Sequence, residues 1–299
     1  MASASERGPR ARVHRAKESD AGSAIRSERL EAALERAALH ADDAELFELM
    51  SRSSGLPGPR PNIDLARVLG RAIAGYAGGG DRLLRALVAS DAEYPRIVAA
   101  LALEARALAG VDPRGADLGL QELAEDPRNL VRMGVVEALR LRIARAGEAS
   151  VASLAAWTDG YLQAHVALEA LAHRPTLDAL PESAPVLDRL EEAFALADEA
   201  PRAADRSQGV RTLRAGLPAQ IKAFAARFSG TLAWLEGRAR ASRPESREIV
   251  AEAIRALRKS QLSDAEAARL SSALEASAPA PRDPSRIVQG TRKRSKGRR

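Results

Sequence analysis

The chain has no cysteine. That excludes disulfides, thiolate metal ligands and cysteine nucleophiles, and it leaves the redox compartment open. Aromatic residues make up only 3% of the sequence, and valine and isoleucine together number 23 against 64 alanines and 37 leucines. A chain so poor in aromatic and β-branched residues lacks the vocabulary of sandwiches and barrels and favours helices instead. Long apolar runs are missing too. The longest uncharged stretch between charged residues is Ala149–Thr158, ten residues, against the roughly 20 that a spanning helix requires. The N-terminal segment is charged throughout and has no apolar h-region, so it does not read as a secretory signal. The expectation is a soluble, cytoplasmic protein that does not engage a membrane.

What is present begins with charge. The net charge is +6, but it is unevenly placed. Residues 277–299 carry eight Lys/Arg and one Asp, giving +7, and residues 1–26 carry six Lys/Arg and three acids, giving +3. The remaining body, 27–276, is therefore −4. Of the 46 basic residues 41 are arginine. Both ends are polar and punctuated by Gly, Pro and Ser, the composition of disordered segments. The C-terminal run Thr291–Arg299 holds Arg292, Lys293, Arg294, Lys296, Arg298 and Arg299. A flexible cationic run of this kind suits counterion release on a polyphosphate. It has no interleaved aromatics for base stacking, so non-specific nucleic-acid or acidic-partner binding is the expectation.

Helical periodicity starts near Ser27, and a second short helix is expected over Asp42–Met50. The segment 51–62 is a loop with three prolines and two glycines, after which Asn62 is placed to cap a helix carrying Leu65, Leu69 and Ile73. Gly78-Gly79-Gly80 reads as the end of that helix, with Asp81 capping the next. From Asp81 to about Pro218 a repeat emerges. Its clearest copy, 123–144, has a helix ending at Glu125, an Asp126-Pro127 turn, and a helix turning Val131, Val135, Ala138 and Leu139 inward. A shift of 36 residues pairs Arg132, Ala138 and Leu139 with Arg96, Ala102 and Leu103. A shift of 32 pairs Leu130, Glu137, Ala138 and Leu139 with Leu162, Glu169, Ala170 and Leu171, and the order Asp126, Val131, Arg132 recurs as Asp205, Val210, Arg211. A two-helix period in the thirties is the mark of an α-solenoid.

The DPxxxVRxxVxxAL pattern of Asp126–Leu139 resembles the HEAT repeat, and the resemblance covers about 140 residues of the middle of the chain. It implies an all-α, right-handed α-α superhelix over 27–276, clearest at 81–173. Helices over 218–276 would form a C-terminal cap, between disordered ends at 1–26 and 277–299. Three C-terminal helices are read: Pro218–Gly237 with Ile221, Phe224, Phe228, Leu232 and Leu235; Arg243–Lys259; and one opening at the capping box Ser263–Glu266. The expected total is about fourteen.

Three constellations bear on function. Arg96, Arg132 and Arg211 share one repeat position. They would form either a line of cations on a concave surface or braces, each pairing with a turn Asp such as Asp126 or Asp205. Nearby Glu104, Glu137 and Glu169 would neutralise such a line, which favours bracing. Tyr161, His165, Glu169 and His173 make one polar stripe at helical spacing. The two imidazoles lie about 12 Å apart along a helix axis, too far for one ion on a straight helix, so a hydrogen-bonding face is expected and no metal or other cofactor. Finally, Trp157, Asp159 and Tyr161 carry a weaker resemblance to helical-repeat DNA glycosylases of the DNA alkylation repair family, which use aromatics and an Asp on a basic concave face. The body here is acidic, and an interface with duplex DNA needs a basic groove. No phosphate loop or nucleophile elbow is present. The sequence therefore reads as a non-enzymatic scaffold or adaptor for a protein partner, with a DNA-binding or repair-like protein as the alternative.

Overall fold

A computed structural model describes residues 28–241 and 243–278. Among these it is all-helical, with fifteen α-helices, two short 3-10 turns and no strand. The helices are α1 (28–40), α2 (Ala44–Ser53), α3 (Ile63–Gly75), α4 (Gly78–Val88), α5 (Glu93–Leu108), α6 (Pro113–Ala124), α7 (Asn129–Ala146), α8 (Glu148–Ser153), α9 (Tyr161–Leu171), α10 (Arg174–Asp178), α11 (Ala184–Glu199), α12 (Gln208–Ala225), α13 (Gly230–Arg238), α14 (Pro244–Arg258) and α15 (Asp264–Ala276). The boundary between two compact units falls between Gly216 and Leu217. The C-terminal cationic run Arg292–Arg299 and the N-terminal segment lie outside the described residues.

In the first unit the long helices pack on one another in chain order: α3 on α5, α5 on α7, α7 on α9 and α9 on α11. The helices between them, α4, α6 and α8, pack against the members of that row. α5 sits deepest. Ile97 to Glu104 are all buried, so this helix has no solvent face over its middle, as expected of a helix covered on every side. Backbones approach closely along the row. A Cβ on Gly70 of α3 would come within 2.8 Å of the backbone at Leu101 and Ala102, and one on Gly134 of α7 within 3.0 Å of Ile97.

Local capping follows the sequence closely. The Asn62 side chain accepts from the Leu65 amide at 3.1 Å. Asp112, itself left-handed at φ 43°, caps α6 ahead of Pro113 by accepting from Gly115. The Asp126-Pro127 turn joins α6 to α7 as read, and Val131, Val135, Ala138 and Leu139 are buried.

Two local expectations fail, for tertiary reasons. The three glycines do not end α3. They form the first turn of α4, where a side chain on Gly79 would collide with the Ala38 carbonyl and one on Gly80 would stand 2.7 Å from the Ile73 carbonyl. Close packing on α1 and α3 outweighs the helix-breaking tendency of glycine. Likewise Pro218 does not start a helix; it lies inside α12. Val210, Leu213, Leu217, Ile221 and Phe224 form one buried stripe across it, and their burial outweighs a proline cost of about 3 kcal/mol. The break comes later, over 226–229, and α13 starts at Gly230.

In the second unit α14 packs on α15 and α13 on α15. The capping box is present: Ser263 N–H donates to Glu266 Oε2 at 2.9 Å, and Glu266 N–H donates to Ser263 Oγ at 3.3 Å. Ser277, read as the first residue of the tail, is held by this unit. Arg247 donates to its hydroxyl at 2.6 Å, and that hydroxyl lies 2.6 Å from the Ala239 carbonyl.

Candidate functional site

Two of the three arginines at the shared repeat position, Arg96 and Arg132, brace the fold. Asp126, whose side chain is fully buried, accepts from Arg96 of α5 at 2.6 Å and from Arg128 through Nε at 2.8 Å and Nη2 at 2.7 Å. Arg132, also buried, donates to the Asp126 and Pro127 carbonyls at 2.7 and 2.9 Å. It closes the turn through backbone oxygens rather than through the carboxylate. Gln208 of α12 reaches the same Pro127 carbonyl at 2.7 Å. Burial alone would push the Asp126 carboxyl up. The bonds and charges of Arg128 and Arg96 outweigh it and hold the group at about 2. Arg211 differs: it is exposed and among the described residues its guanidinium reaches only the Ser207 carbonyl, while the partner of Asp205 is Arg214, at 2.9 Å.

A second buried cluster was not anticipated. Glu104, with no exposed surface, is gripped by Arg142 through Nε at 3.0 Å and Nη2 at 2.6 Å, and Arg142 also reaches Asp117. Burial pushes the Glu104 carboxyl up against the pull of Arg142.

The Tyr161/His165/Glu169/His173 stripe is half-buried along α9 and just past its end. His165 and Glu169 line a pocket of about 340 Å³ with Asn129, Arg132, Glu137 and Arg140. Burial lowers the His165 pKa despite Glu169, which keeps the ring neutral near neutral pH. Among the described residues no group of three or more His, Asp or Glu side chains is placed to hold a metal ion. No described helix is long and apolar enough to cross a membrane. The Trp157/Asp159/Tyr161 cluster is divided. Trp157 is 1% exposed and belongs to the core, whereas Asp159 is exposed. Tyr161 packs against Gly209 of α12.

Comparison of the chain with protein-family models, curated proteins and solved structures finds no match. The geometry therefore carries the functional reading.

A concavity that the sequence did not reveal lies along α3, α5 and α7. Leu101, Ala105, Leu108, Leu141 and Ala144 form its apolar lining, and Arg67, Arg71 and Arg145 stand around it, enclosing about 390 Å³. Arg67 is committed to Asp64 at 3.1 Å and Glu137 at 2.6 Å. The signals were in the sequence. Arg67 and Arg71 are one turn apart, as are Leu141 and Arg145, and Leu101, Ala105 and Leu108 share a helix face. Which of these faces meet across three helices is not written in the spacing.

Proposed function

We propose that this protein is a non-enzymatic helical-repeat scaffold of the HEAT-like solenoid kind, acting in the cytoplasm. Its first unit would present a stacked-helix surface to a protein partner, and its basic tail would add weak, non-specific affinity for nucleic acid or acidic partners. The observation that supports this reading is the row α3, α5, α7, α9, α11, in which each helix packs on the next of the row. Stacking of successive helices is what a repeat array uses to build an extended binding face. The Asp126 bracing, in which an arginine of one helix pair holds the turn of the next, fits the same organisation. The repair-like alternative loses its principal aromatic, because the Trp157 side chain is enclosed in the core.

The test is a DNA and RNA gel-shift titration of the full chain beside a 1–278 truncation, which keeps the Ser277 anchor, at two salt concentrations. The scaffold reading expects binding by the full chain that weakens steeply with salt and disappears in the truncation. Undiminished binding by 1–278 would place a nucleic-acid surface on the body and overturn it.

A further inference from the structure

The α3/α5/α7 pocket combines two features that the fold itself does not use. Its lining is wholly aliphatic, and Leu141 there is 36% exposed, one of few large apolar side chains left open. Around it stand guanidinium groups in excess of their acidic partners. The side chains of Arg71 and Arg145 are exposed and form no ion pair or hydrogen bond among the described residues. Arg67 keeps a buried Nε–H without an acceptor. An aliphatic cavity bordered by unneutralised cations is complementary to a molecule with a saturated chain and an anionic head. The volume falls within the range of small-molecule sites. The lining has none of the aromatic anchors that concentrate energy in protein interfaces. The protein's own tail, at +7 over residues 277–299, has the wrong sign to occupy it.

We propose that this pocket is a binding site for a small aliphatic carboxylate, its hydrocarbon chain against Leu101, Leu108 and Leu141 and its carboxylate on Arg71 and Arg145. Apolar burial would supply the bulk of the affinity, and Arg71 and Arg145 would select the head group through charge-assisted hydrogen bonds. This site is independent of the scaffold reading and would stand if that reading fell.

Isothermal titration of the full-length protein with sodium decanoate, kept below its micellar concentration, tests it beside decanol and decyltrimethylammonium. The expected result is saturable binding of one decanoate, with the neutral and cationic analogues at least tenfold weaker. The double variant Arg71→Glu/Arg145→Glu removes two exposed groups that hold nothing in the fold. It should keep the wild-type circular-dichroism spectrum and bind decanoate at least tenfold more weakly. Leu141→Asp should do the same from the apolar side. Equal binding of the three head groups, unsaturable uptake, or no uptake of decanoate would overturn the proposal. So would an unchanged affinity in the double variant. Sedimentation equilibrium covers the remaining occupant: self-association abolished by Leu141→Asp would assign the pocket to a second copy of the chain and overturn it as well.

Discussion

At the scale of single residues, two buried carboxylates shift in opposite directions. Asp126 is held at about 2 in the fold, below an unfolded value of about 3.9. Its contribution to stability is therefore complete above the unfolded value and drains away as pH falls through the folded one. Glu104 is raised, so its cost appears as pH rises through its folded value. Asp126→Asn leaves Arg96, Arg128 and the turn without their shared anion. We expect it to lose roughly 3 kcal/mol near neutral pH. Measured by urea unfolding, that deficit should shrink towards pH 2, where the wild-type carboxylate is itself being protonated. The sequence made half of this legible. The recurrent Asp–Arg order announced braces on the turn aspartates, but of Arg96, Arg132 and Arg211 only Arg96 takes one of those carboxylates, and Arg132 closes the turn through carbonyls. The residues that hold the Asp126 carboxylate are Arg96, from the preceding pair, and Arg128.

At the scale of elements, the local chemistry of helix starts was readable because a cap is satisfied within a few residues of itself. Asn62 and Ser263 both do what their neighbours demand. Gly78–Gly80 and Pro218 were misread because their outcome depends on residues far away in sequence: Ala38 and Ile73 for the glycines, the α12 apolar stripe for the proline. The same distinction applies to Gly70. Inside a helical pattern it looks like a small loss of propensity, yet it is where α3 lies against the α5 backbone at Leu101 and Ala102. Gly70→Ala, which would improve an isolated helix, should instead destabilise the protein by about 2 kcal/mol through overpacking. A thermal melt followed at the helical circular-dichroism band would show a lowered midpoint. An unchanged or raised one would mean that α3 can move away without cost.

For the whole molecule, the all-helical class follows from an alanine- and leucine-rich chain with few β-branched residues. The two-helix period led to the expectation that successive helix pairs stack. It did not give the register between them, and register decides that Arg71, Leu101 and Leu141 meet around one cavity rather than point apart. The Asp126 tie has a further consequence, in how the native state breathes. One carboxylate and the two carbonyls beside it tether α5, the start of α7 and the start of α12. The α6–α7 turn cannot then open by itself, as an exposed connector normally does. In native-state hydrogen exchange, amides over 126–132 should share the opening free energy and denaturant dependence of the α5 interior. In Asp126→Asn they should separate from it and exchange by a smaller, local opening.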